Sequence, residues 1–216
     1  MEPVTKSTAS LANQAYTLLE EQLVTLKLAP GSLVSEGELI DKTGIGRTPV
    51  REAIQRLAQQ EMFEVIPRKG LLVTPVSRSG MLNILETRKP LERLVAHRAA
   101  LHARDEQRSG LAAIARQMAF THDKFEEFLR RDHELDCLLD ECAGNPFAMA
   151  ALAPLRSHCR RFWYFHRNQV QLSDAIAAHA QMARLIARRD YNGAQKASDA
   201  NIAALERLVT GIDRMS

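Results

Sequence analysis

The chain has 216 residues, 45% hydrophobic and 25% charged, with a net charge of +3, the make-up of an ordinary globular protein with one large or two small domains. No run approaches the roughly 18 apolar residues of a membrane span, MEPVTKSTAS has no signal-type apolar core, and Cys137, Cys142 and Cys159 lack CxxC spacing, so reduced, partly buried thiols, a cytoplasmic location and no membrane partner are expected. Residues 1–76 carry 8 Lys+Arg against 9 Asp+Glu and the remainder 21 against 17, so a basic-domain argument for nucleic acid fails and any such claim must rest on where particular arginines sit.

Leu11, Ala15, Leu18, Leu19, Leu23 and Leu26 predict a first helix that ends at Ala29-Pro30-Gly31. A second, short helix begins at Ser35, with Glu38 three residues on as a capping box, and ends near Thr43-Gly44. A third starts with Thr48 as N-cap and Pro49 at the first helical position. It places Val50, Ala53, Ile54 and Leu57 on one face and Thr48, Arg51, Glu52, Gln55 and Gln59 on the other. Two short helices joined by a tight glycine turn read as a helix-turn-helix. MFEVI and LLVTPV around Pro67-Arg68-Lys69-Gly70 predict a two-stranded hairpin with a basic tip, which completes a winged helix-turn-helix over 1–76.

A recognition helix shows its N-terminal half to base edges in the major groove. Arg51 is placed for guanine or a phosphate, Arg47 for the groove wall, and Thr48 for a phosphate or a thymine methyl, with Gln55 on the same face. Arg68 and Lys69 would reach the backbone or the minor groove from the wing, with Gly70 beside them among the expected DNA-binding positions. An isolated R-x-x-x-R can equally solvate an amphipathic helix. The capping box, tight turn and basic hairpin in order favour DNA.

Residues 77–216 read as an all-helical bundle of about six helices, near 79–103, 107–119, 123–143, 146–167, 173–189 and 192–212. Pro90 and Pro154 are expected to kink the first and fourth. Four polar residues fall inside apolar stripes: Asp132 and Asp136 amid Phe125, Phe128, Leu129, Leu135 and Leu139; His179 amid Ile176, Met182 and Ile186; Asn201 amid Ala194, Ala197, Leu205 and Leu208. Arg88 lies among Met81, Leu85, Leu91 and Val95, and His158 also falls on an inward stripe. A lone inward histidine or asparagine is usually a satisfied core residue, but four on three helices point to a shared polar pocket. Two inward carboxylates need a cation, either a metal or an arginine. Oxygen-rich ligation with one imidazole suits Mn²⁺ or Mg²⁺, with Zn²⁺ and Ni²⁺ also open.

The stretch LAPGSLVSEGELIDKTGIGRTPVREAIQRLAQQEMFEVIPRKGLLVTPV resembles the DNA-binding domain of the GntR family of bacterial transcription regulators. Pro30-Gly31, Glu36, Leu39, Gly44, Arg47, Thr48, Pro49, Val50, Arg51, Ala53, Leu57 and Gly70 fall on the family pattern. Gly37 stands where members often carry a DNA-contacting arginine, and Gly46 replaces the usual serine. ETRKPLE, RRDHELDCLLDECAGN and HAQMARLIARRDYNGA resemble the FCD effector domain of the FadR-type members. This resemblance implies a homodimer, pseudo-palindromic operator DNA, and a repressor-type regulator released or engaged by a small organic acid. Arg88 would pair with the acid's carboxylate, and Asp132, His158, His179 and Asn201 would line its pocket. Metal-binding members present one aspartate and three histidines; here Asp132 and His179 remain, and Asp136 and Asn201 stand at the other two positions. A rival reading is a metal-dependent helical hydrolase using Asp132, Asp136 and His179, though the order Asp132-His133 is not the His-Asp pair of such enzymes, and the winged domain would be left without a use.

Overall fold

The computed structural model describes residues 10–121, 124–169 and 172–211, and the chain divides into two compact units, Met1–Val76 and Ser77–Ser216. In the first unit α1 spans Leu11–Val24, β1 Leu33–Val34, α2 Glu36–Thr43, α3 Arg47–Gln59, β2 Phe63–Ile66 and β3 Gly70–Val73. α1 stops well short of Ala29-Pro30-Gly31. Leu26 takes a left-handed φ of +61°, and the chain turns back so that Leu28 is buried. Leu11 and Leu18, counted inward by the apolar pattern, are exposed, and the buried line is Ala12, Ala15, Leu19 and Leu23. Ala15, Leu19 and Leu23 pack with Leu39, Val50, Ala53, Leu57, Met62, Phe63 and Val73 into one core, each large side chain contributing about 1.5–3 kcal/mol by leaving water.

α2 carries the capping box: the Glu38 amide donates to Ser35 Oγ, and the Ser35 amide to Glu38 Oε2 at 2.7 Å. Gly44 ends it at φ +65°, the left-handed conformation that costs glycine least. α3 begins two residues earlier than the sequence predicts. Gly46 is its N-cap, extended and without a capping side chain. Thr48 is therefore inside the first turn, not its cap, and Pro49 still sits where an amide proton has no helical acceptor. The hairpin pairs Phe63 with Val73 and Ile66 with Gly70, and β1 adds a third strand in the order β1-β3-β2. A two-residue strand has no alternation to display, which is why the sequence shows only the hairpin.

The second unit is six helices among the described residues: α4 Arg78–His102, α5 Asp105–Met118, α6 Phe125–Ala143, α7 Pro146–Phe165, α8 Leu172–Ala187 and α9 Tyr191–Gly211. Predicted helix ends at 123 and 212 lie outside the described residues. Pro90 and Pro154 each sit inside a continuous helical span. α4 is the central element, packed on α6, α7, α8 and α9, while α5 packs on α6 and α8. The cysteines are unbridged, Cys137 exposed and Cys142 and Cys159 buried. Among the described residues no helix is long and apolar enough to cross a membrane.

Candidate functional site

The first unit holds α3 against α1 through a side-chain clasp as well as the core. Tyr16 Oη donates to Gln60 Oε1 at 2.8 Å, Arg56 donates to Asn13 Oδ1 at 2.8 Å, and the Arg56 guanidinium lies 4.2 Å over the Tyr16 ring. Burial, with the Glu20 charge adding, pushes the Tyr16 hydroxyl up to about 12, so it stays a donor. Arg47, Thr48, Arg51 and Gln55 are all exposed on the opposite side of α3. Arg51 is not idle there: its Nε donates to Glu36 Oε2 at 2.9 Å, and Arg47 Nε is 3.9 Å from the same carboxylate. Exposed pairs of this kind contribute about 0–1 kcal/mol, little enough for a phosphate to replace Glu36.

Arg68 and Lys69 are exposed at the wing tip, with Arg68 at φ +63° and the Lys69 amide closing the turn onto the Ile66 carbonyl at 3.0 Å. Gly70, expected among the DNA-binding positions, has a structural duty. Its φ is +114°, and a Cβ there would lie 2.7 Å from the Val34 carbonyl oxygen. Only glycine lets β1 close onto β3 at this point.

In the second unit the expected polar residues are drawn into an ionic network whose centre is a residue the sequence pattern did not single out. Arg156 on α7 is 3% exposed. Its Nε and one terminal nitrogen each donate to Glu92 at 2.9 Å, its other terminal nitrogen donates to Asp140 at 2.9 Å, and Asp136 lies 3.4 Å away. Arg88 donates to Glu92 Oε1 at 2.7 Å, one turn along α4. Arg160 approaches Asp136 at 3.6 Å and donates to Ser157 Oγ at 2.9 Å. Burial raises the Glu92 carboxyl, yet the Arg156 and Arg88 charges and hydrogen bonds outweigh it and hold Glu92 down at about 2. Both arginines are held above their ordinary value by the carboxylates around them, against the desolvation that opposes it. The Asp136 carboxyl is pushed up to about 7: burial dominates, and the Asp132 and Glu92 charges add to it against the pull of Arg156 and Arg160.

Asp132 pairs instead with His179, Oδ1 to Nε2 at 3.1 Å, while His179 Nδ1 donates to the Ala175 carbonyl at 2.6 Å. Burial disfavours both charges, but each partner's charge overcomes it: Asp132 is lowered and His179 raised. Asn201 is 6% exposed; its Nδ2 lies 3.7 Å from Met182 Sδ, and its Oδ1 has no hydrogen-bond partner.

Two adjoining cavities result. A small inner one is lined by Arg88, Asp132, Asp136, Arg156, Arg160 and His179, among others. An outer one of about 330 Å³ lies between α8, α9 and the end of α7, and the two share Trp163, His179 and Leu205. Arg88 thus lines the inner cavity, with its Nε and one terminal nitrogen donating to Glu92 Oε1. His158 is half-buried and lines neither cavity. At about 100° per residue it falls off the Leu152–Arg156–Cys159–Trp163 line that faces inward.

The four residues expected to hold a divalent metal do not make a donor set. Asp136 faces two guanidinium groups, His179 uses both ring nitrogens on Asp132 and Ala175, and Asn201 stands apart on the outer cavity. Among the described residues no group of three or more His, Cys, Asp or Glu side chains is arranged to hold an ion. The cationic partners in place are Arg156 and Arg160 for Asp136 and His179 for Asp132. Arg156 was legible by the logic that found Asp132, since it too sits mid-stripe. Long arginines on helices are ordinarily solvated, and that default hid it.

A winged helix-turn-helix with an arginine-bearing exposed helix, followed by a six-helix unit with an internal cavity, defines a ligand-responsive DNA-binding regulator. Residues 11–73 match bacterial regulatory proteins of the gntR family and residues 83–204 match the FCD domain. The chain belongs to the GntR family of transcriptional regulators, in its FCD-containing branch, and is a DNA-binding regulator rather than an enzyme. It is 24% identical to the HTH-type transcriptional repressor RspR of Escherichia coli K12 over 95% of this chain and 91% of that protein. It is 26% identical to the fatty acid metabolism regulator protein of Proteus mirabilis over 84% of this chain and 83% of that one. The fold is shared with E. coli McbR/YncC, with a TM-score of 0.83 at 18% identity over 95% of this chain and 99% of that chain. The hydrolase alternative falls with this: the winged unit has its use, and Asp136 and His179 are occupied by internal partners.

Proposed function

We propose that the protein is a cytoplasmic, homodimeric repressor that reads a pseudo-palindromic operator and is controlled by a small organic acid bound in the FCD unit. Arg47, Thr48, Arg51 and Gln55 enter the major groove on α3, and Arg68 and Lys69 track the backbone from the wing. The observation that carries this reading is the polar face of α3, exposed along its first half and backed by a fully buried apolar face. Repression is supported by the name of the full-length relative RspR. The effector occupies the outer cavity, which has the volume and largely apolar lining of a small-molecule site. It acts by binding one arrangement of the dimer more tightly than the other. The reading uses no metal: Arg156 and Arg160 face Asp136, and His179 pairs with Asp132.

The test is a fluorescence-anisotropy titration of the protein with duplexes from its own upstream region. Wild type is expected to prefer one duplex, with affinity falling steeply with salt. Arg51→Ala is expected to lose about 1–3 kcal/mol of discrimination. An indifferent Arg51, or no sequence preference on any duplex, overturns the assignment of α3.

A further inference from the structure

The outer cavity is polar at its floor and at its mouth, and between them apolar apart from His179, which is paired with Asp132. At the floor is Asn201, 94% buried by its 6% exposure, with Oδ1 unsatisfied. An unpaired buried amide oxygen is costly enough that a ligand group is the natural partner. Either end of a side-chain amide is completed by a hydroxyl, which both donates and accepts. The walls are Trp163, Ala175, Ala178, Ala204, Leu205 and Leu208, small side chains facing a broad indole. At the mouth is Arg207, exposed and with no side-chain partner among the described residues, beside the single rim acid Asp174.

Resting on the effector reading above, we infer that the ligand is a hydroxy acid whose carboxylate and hydroxyl lie at opposite ends of an apolar body. The carboxylate pairs with Arg207 at the mouth, the body lies against Trp163 and Leu205, and the hydroxyl reaches Asn201. Asn201 and Arg207 are six residues apart on α9, roughly 9 Å of helix rise. The carboxylate is read at the mouth because Arg88, Arg156 and Arg160 further in each already face a carboxylate of the protein, Glu92, Asp136 or Asp140.

The experiment titrates the full-length protein with 8-hydroxyoctanoate, octanoate and lactate. Quenching of Trp163, the single tryptophan, reads binding, and operator anisotropy reads regulation. 8-Hydroxyoctanoate is expected to bind about tenfold or more tightly than octanoate, since octanoate leaves Asn201 unpaired, and lactate is expected not to bind. Asn201→Leu should abolish the preference. Arg207→Met, a surface change that leaves the fold intact, should weaken both long acids alike, and Asp174→Asn should strengthen both. Equal binding of octanoate, binding of lactate in preference, or no binding by any of the three overturns the inference. Tight, Asn201-dependent binding without a change in operator affinity supports the inference and overturns the regulatory reading instead.

Discussion

Glu92→Gln is the substitution that tests the ionic network most directly. The change keeps the side-chain volume, so no cavity forms, but it removes the charge that Arg88 and Arg156 share. It also turns an amide N–H₂ towards one of two buried guanidinium groups that between them donate four hydrogen bonds to that one carboxylate. Asp136 and Asp140 continue to serve Arg156, but among the described residues Arg88 is bonded to no second carboxylate. Removing one partner from a buried pair costs about 3–5 kcal/mol, a large share of the about 5–15 kcal/mol by which a domain is stable. The assay is urea unfolding followed by Trp163 emission, which reports the second unit alone. With a denaturant slope of about 2 kcal/mol per molar, the midpoint should fall by about 2 M. Glu86→Gln, exposed on the same helix, is the control and should shift stability by less than about 0.5 kcal/mol. A Glu92→Gln midpoint within the control's range would refute the argument that this carboxylate neutralises two buried cations.

Glu36→Gln should free Arg47 and Arg51 and raise affinity for non-operator duplexes by up to about fivefold; weaker binding would mean that Glu36 holds Arg51 in its reading posture. Gly70→Ala should destabilise the first unit by about 1–3 kcal/mol in far-UV circular dichroism melts, because its Cβ meets the Val34 carbonyl; a neutral result would show that the wing relaxes away from β1. Asp136 gives a pH signature. Its folded pKa is raised from 3.8 to about 7, so its contribution is fully present below 3.8 and is lost as pH rises through about 7. Wild type should therefore lose stability across that window relative to Asp136→Asn, in which His179 also loses the Asp136 charge that helps to raise it. Parallel curves would refute the raised pKa.

The elements that were legible in the sequence are those whose cause is local. The Ser35/Glu38 capping box and the left-handed Gly44 are complete within a few residues, and the stripes of α3 and α6 are visible to periodicity. The end of α1 was not legible, because Leu26 leaves the helix only so that Leu28 can join a core built from α2, α3 and the sheet. Of the site, periodicity found that Asp132, Asp136, His179 and Asn201 point inward and that carboxylates so placed need a cation. It could not say which cation. That depends on Arg156 of α7 meeting Glu92 of α4 and Asp140 of α6, contacts between residues 64 and 16 apart in the chain. For Arg88 the reverse applies: its partner is only four residues away, and the resemblance to carboxylate-binding relatives drew attention outward from it.

The shared carboxylates of the second unit also bear on how such a chain can change over generations. Because Glu92 answers two arginines and Arg156 answers three acids, a drift at any one of these positions strands a charge on another helix. The group can move to a new ligand chemistry only by coordinated replacement, whereas Asn201 and Arg207 stand outside it and are free to vary singly. Among descendants of a common ancestor, the outer cavity should therefore diversify first, with the ion-paired interior inherited as a block.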